Sequence, residues 1–554
     1  MSGLGCRRGI EAEAAGLRML KSKVGARRLQ ILWLLGLVAG CAPVPRMLPV
    51  DQQIPIDRNL ITLAPSGFAV QPFVRNLSAP TAIAWDEDGS MLIAEGGNYN
   101  EEPSIIGFKK DGSFFQIYPT GRQLFVDIGK PHFVMYGPIG GMVVYQGRIY
   151  VSHRDEQGYG VITALDRTGG HTTIQAHLPA QGDFSVTDLA IARSPIDPPK
   201  NDKLYFGVGA VTNSGVVGID NWEWVPEYQQ VHDLPWVRTH LKGFRFDSPN
   251  PFAGLFGPAD IAVTAPFQPF NVSNRTEVNG SEMPSAAIYS CSPNGGELHV
   301  EGHGIRYPRG LGFIGPNCYF TNDGMELRGT RPVKNDPDAL LSLTPGGIWY
   351  GWPDFTTDLH SIDGDKYQPP AEMIAKTGYF RVIPVIDLGE RRRELFDPSQ
   401  DYRSLWAGTF APLSGAAKLD FFPSSGPFAK RTGGRYAIVA LSGDRAPFAT
   451  SGYPIVGPIG YKVVSVDLDS EKHPVTDFLF NTARGPGSGI DPKNPNLLER
   501  PVDVKFGPDG TLYVLDGGRM EMHNGRPQWQ PGTGKIFRVV PQPVPVMYHD
   551  PSVK

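Results

Sequence analysis

Short apolar runs recur along this chain, and neighbouring runs are joined by turns rich in glycine, proline, aspartate and asparagine. A polar or charged lead-in precedes the first run of each pair, and polar residues follow the second. Paired apolar runs with a tight turn between them are typical of β-hairpins. This unit occurs in six places, which are Pro80–Gly97, Ile139–Asp155, Val186–Gly209, Gly304–Gly324, Leu413–Asp444 and Val502–Gly518.

Six copies of one hairpin unit predict an all-β protein, a six-bladed β-propeller with loop insertions. Alternating strand patterns at Gly67–Val74 and Gly534–Val540 begin and end the body, and their pairing inside one blade would close the ring. Two stretches interrupt the rhythm. We expect an aromatic, proline-rich insertion over about residues 221–282 to cover one face, and a shorter insertion at Met325–Asp338.

Composition agrees with a large, turn-rich β protein. The 554 residues include 66 glycines and 52 prolines, and 40% of the chain is apolar, which is enough to bury a core. The net charge of −4 is small for this length, so the chain offers no basic field for nucleic acid.

The N-terminus predicts a targeting signal over residues 1–40. Basic residues between Lys21 and Arg28 precede an apolar run, Leu29–Val38, that is too short to span a bilayer and ends in V-A-G-C at Cys41. This resembles a bacterial lipoprotein signal, which implies cleavage before Cys41 and lipidation of its thiol. The alternative is an ordinary secretory signal cut nearby. Acidic residues before Met19 indicate that translation starts there.

We therefore expect an exported protein of the bacterial cell envelope, anchored by lipid on the periplasmic side of a membrane. Residues 41–66 are proline-rich and lack periodicity, which predicts a flexible tether before a propeller over 67–541 and a tail over 542–554. Two further cysteines, Cys291 and Cys318, are either one disulfide in an oxidising compartment or two separate buried thiols.

Propeller geometry predicts which polar residues share a face. The first strand of a blade lines the channel and the second runs antiparallel to it, so residues before the first and after the second emerge together. The rule collects Glu95, Asn98, His153, Arg154, Asp155, Asn213, Arg306, Tyr307, Arg309, Asn322, Asp323, Asp444, Arg445, Arg500, Asp516 and Arg519. Such a rim suits a small polyanion held by guanidinium groups, and the alternative is that the charges pair with one another.

Several ordered segments resemble the soluble quinoprotein glucose and sorbosone dehydrogenase family. They are G-I-R-Y-P-R-G-L-G-F at Gly304–Phe313, G-G-I-W-Y-G-W-P at Gly346–Pro353, A-L-S-G-D-R at Ala440–Arg445 with G-Y-K-V-V at Gly460–Val464, and the final unit Arg500–Asp516 followed by G-K-I-F-R-V. The similarity covers nearly all of Gly67–Val540 apart from the insertions.

The resemblance implies a propeller that binds pyrroloquinoline quinone (PQQ), a tricarboxylate, over the channel with the help of calcium. It implies a sugar or related polyol or aldehyde as substrate, hydride transfer to the quinone, and a histidine as base. It places Arg306 and Arg445 at cofactor-contacting positions. Together with the strand-end rule, by which residues before the first and after the second strand of a blade share a face, it predicts a cofactor site of Arg306, Arg445, Arg500, Asn322 and Asp323. The electron acceptor and the metal ligands are not assigned.

The sequence departs from the family at the base. The matching stretch is F-S-V-T-D-L, with Phe184 where the family has its histidine, and Tyr307 replaces the family's asparagine. Phenylalanine cannot accept a proton. We expect His153, oriented by Asp155 two residues on, to substitute for the base, and the alternative for His153 is an exposed rim residue.

Three hypotheses stay open. The first is an exported PQQ-dependent dehydrogenase. The second is a propeller without catalysis that binds a carbohydrate or a protein partner, favoured by Phe184, Tyr307 and the aromatic insertion. The third is a calcium-dependent, lactonase-like hydrolase using Glu95, Asp323 and Asp516. The sequence has no G-x-S-x-G elbow, no H-E-x-x-H motif and no cysteine cluster with zinc spacing.

Overall fold

The computed structural model describes residues 44–64, 66–119, 133–250, 252–253, 260–272, 276–373, 381–389, 402–429, 434–523 and 525–542. From Pro45 on, these residues belong to a single compact unit. The predicted signal segment and Cys41 lie outside the described residues. In the described part of the chain, no helix is long and apolar enough to cross a membrane.

Three strands precede the first blade. They are β1 (Arg46–Met47), β2 (Ile61–Leu63) and β3 (Phe68–Leu77). Blade 1 is a four-stranded antiparallel sheet of β4 (Pro80–Trp85), β5 (Met91–Glu95), β6 (Ser104–Phe108) and β7 (Phe114–Tyr118). Blade 2 repeats this order with β8 (Met142–Tyr145), β9 (Arg148–Arg154), β10 (Gly160–Leu165) and β11 (His171–Leu178).

Blade 3 carries the long insertion. It begins with β12 (Val186–Ala192) and β13 (Lys203–Val208) and continues after the insertion with β18 (Ala287–Cys291) and β19 (His299–His303). The insertion has two small two-stranded sheets built from β14 (Thr239–His240), β15 (Phe246–Pro249), β16 (Ile261–Thr264) and β17 (Glu277–Val278).

Blade 4 consists of β20 (Pro308–Ile314), β21 (Asn317–Asn322), β22 (Asp338–Leu343) and β24 (Trp406–Phe410), while β23 (Ile348–Trp349) pairs with β19 of blade 3. Blade 5 consists of β25 (Ala416–Phe421), β26 (Tyr436–Leu441), β27 (Lys462–Asp467) and β28 (Val475–Asn481). A short helix, α1 (Gly487–Ile490), precedes blade 6.

Blade 6 closes the ring. Its strands are β29 (Pro501–Phe506), β30 (Leu512–Asp516) and β33 (Gly534–Pro541), with an extra hairpin of β31 (Met520–His523) and β32 (Arg526–Trp529) before the last of them. The early strand β3 pairs with β33 along most of its length. The predicted pairing of the first and last strands in one blade is therefore confirmed.

The described residues thus form six sheets, and the innermost strands β4, β8, β12, β20, β25 and β29 contact one another in a closed circle. The predicted six-bladed β-propeller is confirmed. The apolar core lies mainly between neighbouring blades, as where Leu92, Ile105, Met142 and Val151 pack between blades 1 and 2. Each sheet hides both faces in this way, because its neighbours cover it on either side.

The proline-rich stretch differs from the predicted tether over its described part. Strand β1 pairs with β3 at the rim of blade 6, and β2 pairs with β28 at the rim of blade 5. The outer edge of a blade leaves backbone N–H and C=O groups unpaired, and an extended segment nearby can satisfy them. The cysteines follow the second alternative, since Cys291 and Cys318 are separate buried thiols.

The inner strands share one irregularity. In blades 1, 3, 4, 5 and 6, the innermost strand has one more residue than its partner strand between the first pair of facing residues and the next pair. Such a β-bulge changes the direction in which the next side chain points. The bulged residues lie at the end of the channel where the long insertions leave the sheets.

Asp338, the first residue of β22, joins blade 4 to blade 5. Its Oδ1 accepts a hydrogen bond from Gly324 N (2.9 Å), and its Oδ2 accepts from Ser414 Oγ (2.9 Å), Gly415 N (2.7 Å) and Ala416 N (3.2 Å). Burial raises the pKa of Asp338 to about 7 even though these donors favour the charged form. The side chain satisfies a tight loop that would otherwise bury unpaired N–H groups.

We predict that Asp338→Ala lowers the free energy of unfolding by about 3 kcal/mol or more, because it strands several buried donors at once. Urea unfolding followed by fluorescence measures this as a lower midpoint. Asp365→Ala is the control, since the Asp365 side chain is 93% exposed, and it should change stability by no more than about 0.5 kcal/mol. Equal midpoints for the two variants would contradict a joining role for Asp338.

Candidate functional site

A cavity lies at the end of the channel where the insertions gather. Its floor is formed by the second residue of the inner strand in five blades, namely Thr81, Thr187, Arg309, Ala417 and Val502. These are the positions next to the β-bulges, so the irregularity directs these side chains towards the cavity. The cavity encloses about 140 Å³.

Five cationic side chains line the cavity. Arg309, Lys418, Arg445 and Arg500 come from blades 4, 5 and 6, and Arg328 comes from the shorter insertion. The Arg500 guanidinium donates hydrogen bonds to the backbone oxygens of Ser442, Gly443 and Asp444 and to the Tyr461 hydroxyl. Within the described residues it has no carboxylate at ion-pair distance, so its positive charge is not neutralised locally.

Three polar groups on the cavity wall are buried and have no hydrogen-bond partner in the described structure. They are Lys418 Nζ, Thr81 Oγ1 and Ser185 Oγ. Lys418 lies 3.5 Å from Asp188 Oδ1, and its residue is 5% exposed. A buried donor without a partner costs free energy, so a wall with three of them is suited to a polar ligand or to ordered water.

An aromatic pair forms one side of the cavity. The rings of Phe184 and Tyr307 stack with centroids 4.1 Å apart, and the guanidinium of Arg309 lies 5.4 Å from the Tyr307 centroid. Burial raises the pKa of Tyr307 to about 12. Phe184, predicted at the position of the family base, therefore lies at the cavity as an apolar, flat surface.

The hairpin β31–β32 of blade 6 covers the cavity. Met520, Met522, Pro527 and Trp529 line its underside. Arg526 Nη1 donates to the backbone oxygen of Gly182 (2.9 Å) in the connection between blades 2 and 3, across the ring from blade 6. The hairpin is thus attached on both sides of the opening. Sequence analysis did not predict it.

A buried ion network lies beside the cavity. It contains four arginines and four carboxylates: Arg306, Arg309, Arg328, Arg445, Asp183, Asp220, Asp323 and Glu326. Arg328 is its centre, with Nη2 at 2.7 Å from Asp183 Oδ2, Nη1 at 2.6 Å from Asp220 Oδ2 and Nε at 2.5 Å from Glu326 Oε2. The charges balance one for one.

The electrostatics of the network follow from burial opposed by opposite charge. Burial acts to raise the pKa of Glu326, but Arg445, Arg328 and Arg306 together hold it well below its usual range. Burial raises the pKa of Asp220 to about 6 despite Arg328. Glu326 therefore carries its charge at neutral pH, as the central anion of the network.

Arg306 belongs to the network but does not line the cavity. It lies behind Phe184, 4.7 Å from the ring centroid, and is 1% exposed. Nε and Nη2 donate to the backbone and side-chain oxygens of Asn213 (3.0 and 2.8 Å), and Nη1 donates to Gly324 O (2.7 Å). The cofactor contact implied by the resemblance is not supported by this position, because the N–H groups are already used internally.

His153 lies inside blade 2 and not at the cavity. Its Nδ1 bonds to Arg154 O and its Nε2 to Thr163 Oγ1, both at 2.8 Å. Burial lowers its pKa to about 4. Asp155 does not orient it, since Asp155 Oδ1 accepts from Gln157 N and Tyr159 N in the following turn. The His153 side chain is buried within blade 2. His153 is therefore neither positioned as a base at the cavity nor an exposed residue of the rim.

The other predicted cofactor residues divide into two groups. Arg445 and Arg500 line the cavity, as the strand-end rule predicted. Asn322 instead accepts a hydrogen bond from Tyr307 N (2.9 Å), and Asp323 is a buried partner of Arg309 and Arg445. The Asn322 amide therefore holds Tyr307 in place, and the Asp323 carboxylate holds Arg309 and Arg445.

The three carboxylates of the hydrolase hypothesis, those of Glu95, Asp323 and Asp516, do not form one site. Glu95 Oε1 accepts from Ser78 N (2.6 Å), and Asp516 Oδ2 accepts from Glu499 N (2.6 Å), so both close loops of their own blades. In the described part of the chain, no group of three or more His, Cys, Asp or Glu side chains is arranged to hold a metal ion. The calcium that the resemblance implies has no such cluster there.

Sequence reasoning missed three residues at the cavity: Asp183, Arg328 and Lys418. Lys418 lies within an inner strand, where the strand-end rule does not look, although a lysine in A-A-K-L-D was a visible signal. Arg328 belongs to the shorter insertion. Asp183 directly precedes Phe184 in the connection between β11 and β12.

The chain was compared with family models, curated proteins and solved structures. No family model matches the chain, and no curated protein sequence matches it. Similar solved structures include the PQQ domain of pyranose dehydrogenase from Coprinopsis cinerea, with 15% identity over 88% of this chain and 98% of that one and a TM-score of 0.46. Another is the PQQ-bound aldose sugar dehydrogenase from Streptomyces coelicolor, with 11% identity over 86% and 98% and a TM-score of 0.41.

A glucose dehydrogenase is also similar, with 14% identity over 85% of this chain and 98% of that chain and a TM-score of 0.43. The six-bladed architecture of this chain rests on its own strand pairing and on the circle of inner strands.

We predict that Arg306→Ala lowers the free energy of unfolding by about 3 kcal/mol or more, because it leaves Glu326 and the Asn213 oxygens partly uncompensated in the interior. Thermal and urea unfolding measure the loss. Arg309→Ala is the comparison, since its side chain is 19% exposed and reaches the cavity, and it should cost less. A stable Arg306→Ala protein would contradict the internal role.

Proposed function

We propose that the central cavity binds pyrroloquinoline quinone and that the protein is a quinoprotein oxidoreductase acting on a sugar or a related alcohol or aldehyde. The observation that carries the proposal is the pair of cations that line the cavity: the buried Lys418 ammonium, which makes no hydrogen bond and lies 3.5 Å from Asp188 Oδ1, and Arg500, which has no carboxylate at ion-pair distance in the described structure. The ordered motif resemblance along the chain supports the choice of this cofactor over other polyanions.

The donor set fits a tricarboxylate in kind. Arg309, Arg445 and Arg500 present guanidinium groups to the cavity from blades 4, 5 and 6, and Lys418 adds an ammonium from the floor. Guanidinium groups bind carboxylates through two parallel hydrogen bonds, and these charge-assisted bonds are stronger than neutral ones. Thr81 Oγ1 and Ser185 Oγ offer further donors to carbonyl oxygens.

The stacked faces of Phe184 and Tyr307 suit a planar, fused-ring ligand. The cavity volume of about 140 Å³ is smaller than the roughly 300 Å³ at which pockets for larger ligands begin. Entry of a fused-ring tricarboxylate therefore requires the hairpin β31–β32 to move outwards. When bound, the quinone supplies a two-electron oxidant that accepts hydride from an alcohol carbon.

The chain's own residues would bind and orient the cofactor and would shield it from water. Arginines fix the carboxylates, while Met520, Met522 and Trp529 above the cavity exclude water from the reacting atoms. Histidine is absent from the described residues that line the cavity, so proton removal needs a different group from the one in the resembling family. This same absence favours the second candidate function, a propeller that binds a ligand without turning it over.

Export is part of the proposal. The V-A-G-C sequence at Cys41 supports lipidation and attachment on the periplasmic side of a bacterial membrane. A sugar-oxidising quinoprotein in that place would pass electrons to an acceptor in the envelope.

We predict saturable binding of PQQ to the purified, signal-free protein, followed by quinone absorbance with calcium and, in a parallel arm, with EDTA. Arg445→Gln and Arg500→Gln should each raise the dissociation constant about 10- to 100-fold, the equivalent of one charge-assisted hydrogen bond of about 1.5–3 kcal/mol. Arg484→Gln is the control, because Arg484 pairs with Asp477 on the outside of blade 5.

Saturable binding that the cavity variants weaken and the control does not would support the cofactor site. A sugar and polyol panel with an artificial dye acceptor then tests oxidation. Binding without oxidation of any substrate would favour the second candidate function. No saturation at high micromolar PQQ in either arm would rule out the proposed cofactor.

A further inference from the structure

We infer that Asp183 is the general base of the proposed oxidation, in place of the histidine that the resembling family has at Phe184. The inference rests on the proposed function. Asp183 directly precedes Phe184 in the chain and is the only carboxylate among the described residues that line the cavity.

The other groups on the wall are poor proton acceptors. Arginine stays protonated, and the ammonium of Lys418, 3.5 Å from a carboxylate oxygen of Asp188, is a donor with no acceptor lone pair. Burial raises the pKa of Tyr307 to about 12, so its hydroxyl keeps its proton at neutral pH. Hydroxyls of threonine and serine are weaker bases than a carboxylate.

Three donors fix the orientation of the Asp183 carboxylate. Oδ1 accepts from Asn221 Nδ2 (2.9 Å) and Trp224 Nε1 (2.8 Å), and Oδ2 accepts from Arg328 Nη2 (2.7 Å). A carboxylate has about four lone-pair sites, so one site on Oδ2 remains for a further donor. The side chain is 10% exposed, and Asp183 is among the residues that line the cavity.

The long insertion acquires a role from these contacts. Asn221 and Trp224 belong to it, and both of their donors end on Oδ1. The insertion therefore positions the carboxylate in the cavity as well as covering the face. Arg328 keeps Asp220 and Glu326 as partners when Asp183 takes up a proton, so the arginine is not left uncompensated.

The step balances as follows. The substrate O–H bond breaks and its proton goes to Asp183 Oδ2, forming a new O–H bond there. The C–H bond of the carbon that carries this oxygen also breaks, and its electron pair leaves with the hydrogen as hydride. The o-quinone that the proposed function supplies accepts this hydride. The substrate becomes a carbonyl compound, oxidised by two electrons, and the o-quinone is reduced by two.

The test compares Asp183→Asn with Asp220→Asn in the signal-free protein loaded with PQQ. Both variants remove one carboxylate from Arg328, but Asp220 does not line the cavity. We expect both variants to bind PQQ saturably in an absorbance titration. Reduction of the bound cofactor by substrate should slow about 10²–10⁴-fold in Asp183→Asn, the usual contribution of a general base.

Asp220→Asn should stay within about tenfold of the wild-type rate, since it loses no group at the cavity. Asp183→Ala gives a second readout, because added formate can occupy the space and restore part of the rate only where the missing carboxylate accepted a proton. Unfolding midpoints of all variants show whether each is folded under assay conditions.

Equal rates for Asp183→Asn and Asp220→Asn, or an Asp183→Ala protein that binds PQQ and is not rescued by formate, would overturn the inference. A wild type that does not bind PQQ would instead overturn the proposed function, and the unfolding data and titrations distinguish the two results.

Discussion

The buried network of four arginines and four carboxylates holds the cavity face of this propeller together. Its members come from the connection between blades 2 and 3, from both insertions, from β20 and from the loop after β26. Each buried charge is tolerable only because an opposite charge lies against it. The loops are therefore interdependent, since displacement of one leaves a charge in another without its partner.

Against this balanced background, Arg500 and Lys418 stand apart. Arg500 is satisfied by neutral oxygens, and Lys418 Nζ has no hydrogen-bond partner in the described structure. Both line the cavity. Lys418 Nζ lies 3.5 Å from Asp188 Oδ1, so the positive charge left without a carboxylate among the described residues at the cavity is that of Arg500. Structural and ligand-directed arginines look alike in the sequence, and only their partners separate them.

Hairpin periodicity was sufficient to predict the propeller and its closure, because each blade is a local pattern repeated along the chain. The strand-end rule also predicted that Arg309, Arg445 and Arg500 share a face, since that depends only on strand direction. It could not predict that Arg306 turns inwards or that His153 lies within its sheet, because a side chain at a strand end can point either way. The lysine in A-A-K-L-D is visible in the sequence, but the roles of Lys418 and Asp183 depend on contacts with remote segments that the local sequence does not show.

The β-bulges bring a set of side chains from five blades to the cavity floor, namely Thr81, Thr187, Arg309, Ala417 and Val502. Ala417 and Val502 also pack in the apolar core, Thr187 donates to Pro308 O, and Arg309 pairs with Asp323. The Thr81 hydroxyl has no hydrogen-bond partner in the described structure. Thr81 is therefore the floor position at which a substitution can change the shape and charge of the cavity at least cost to the blades, and it is the first site to vary by directed evolution.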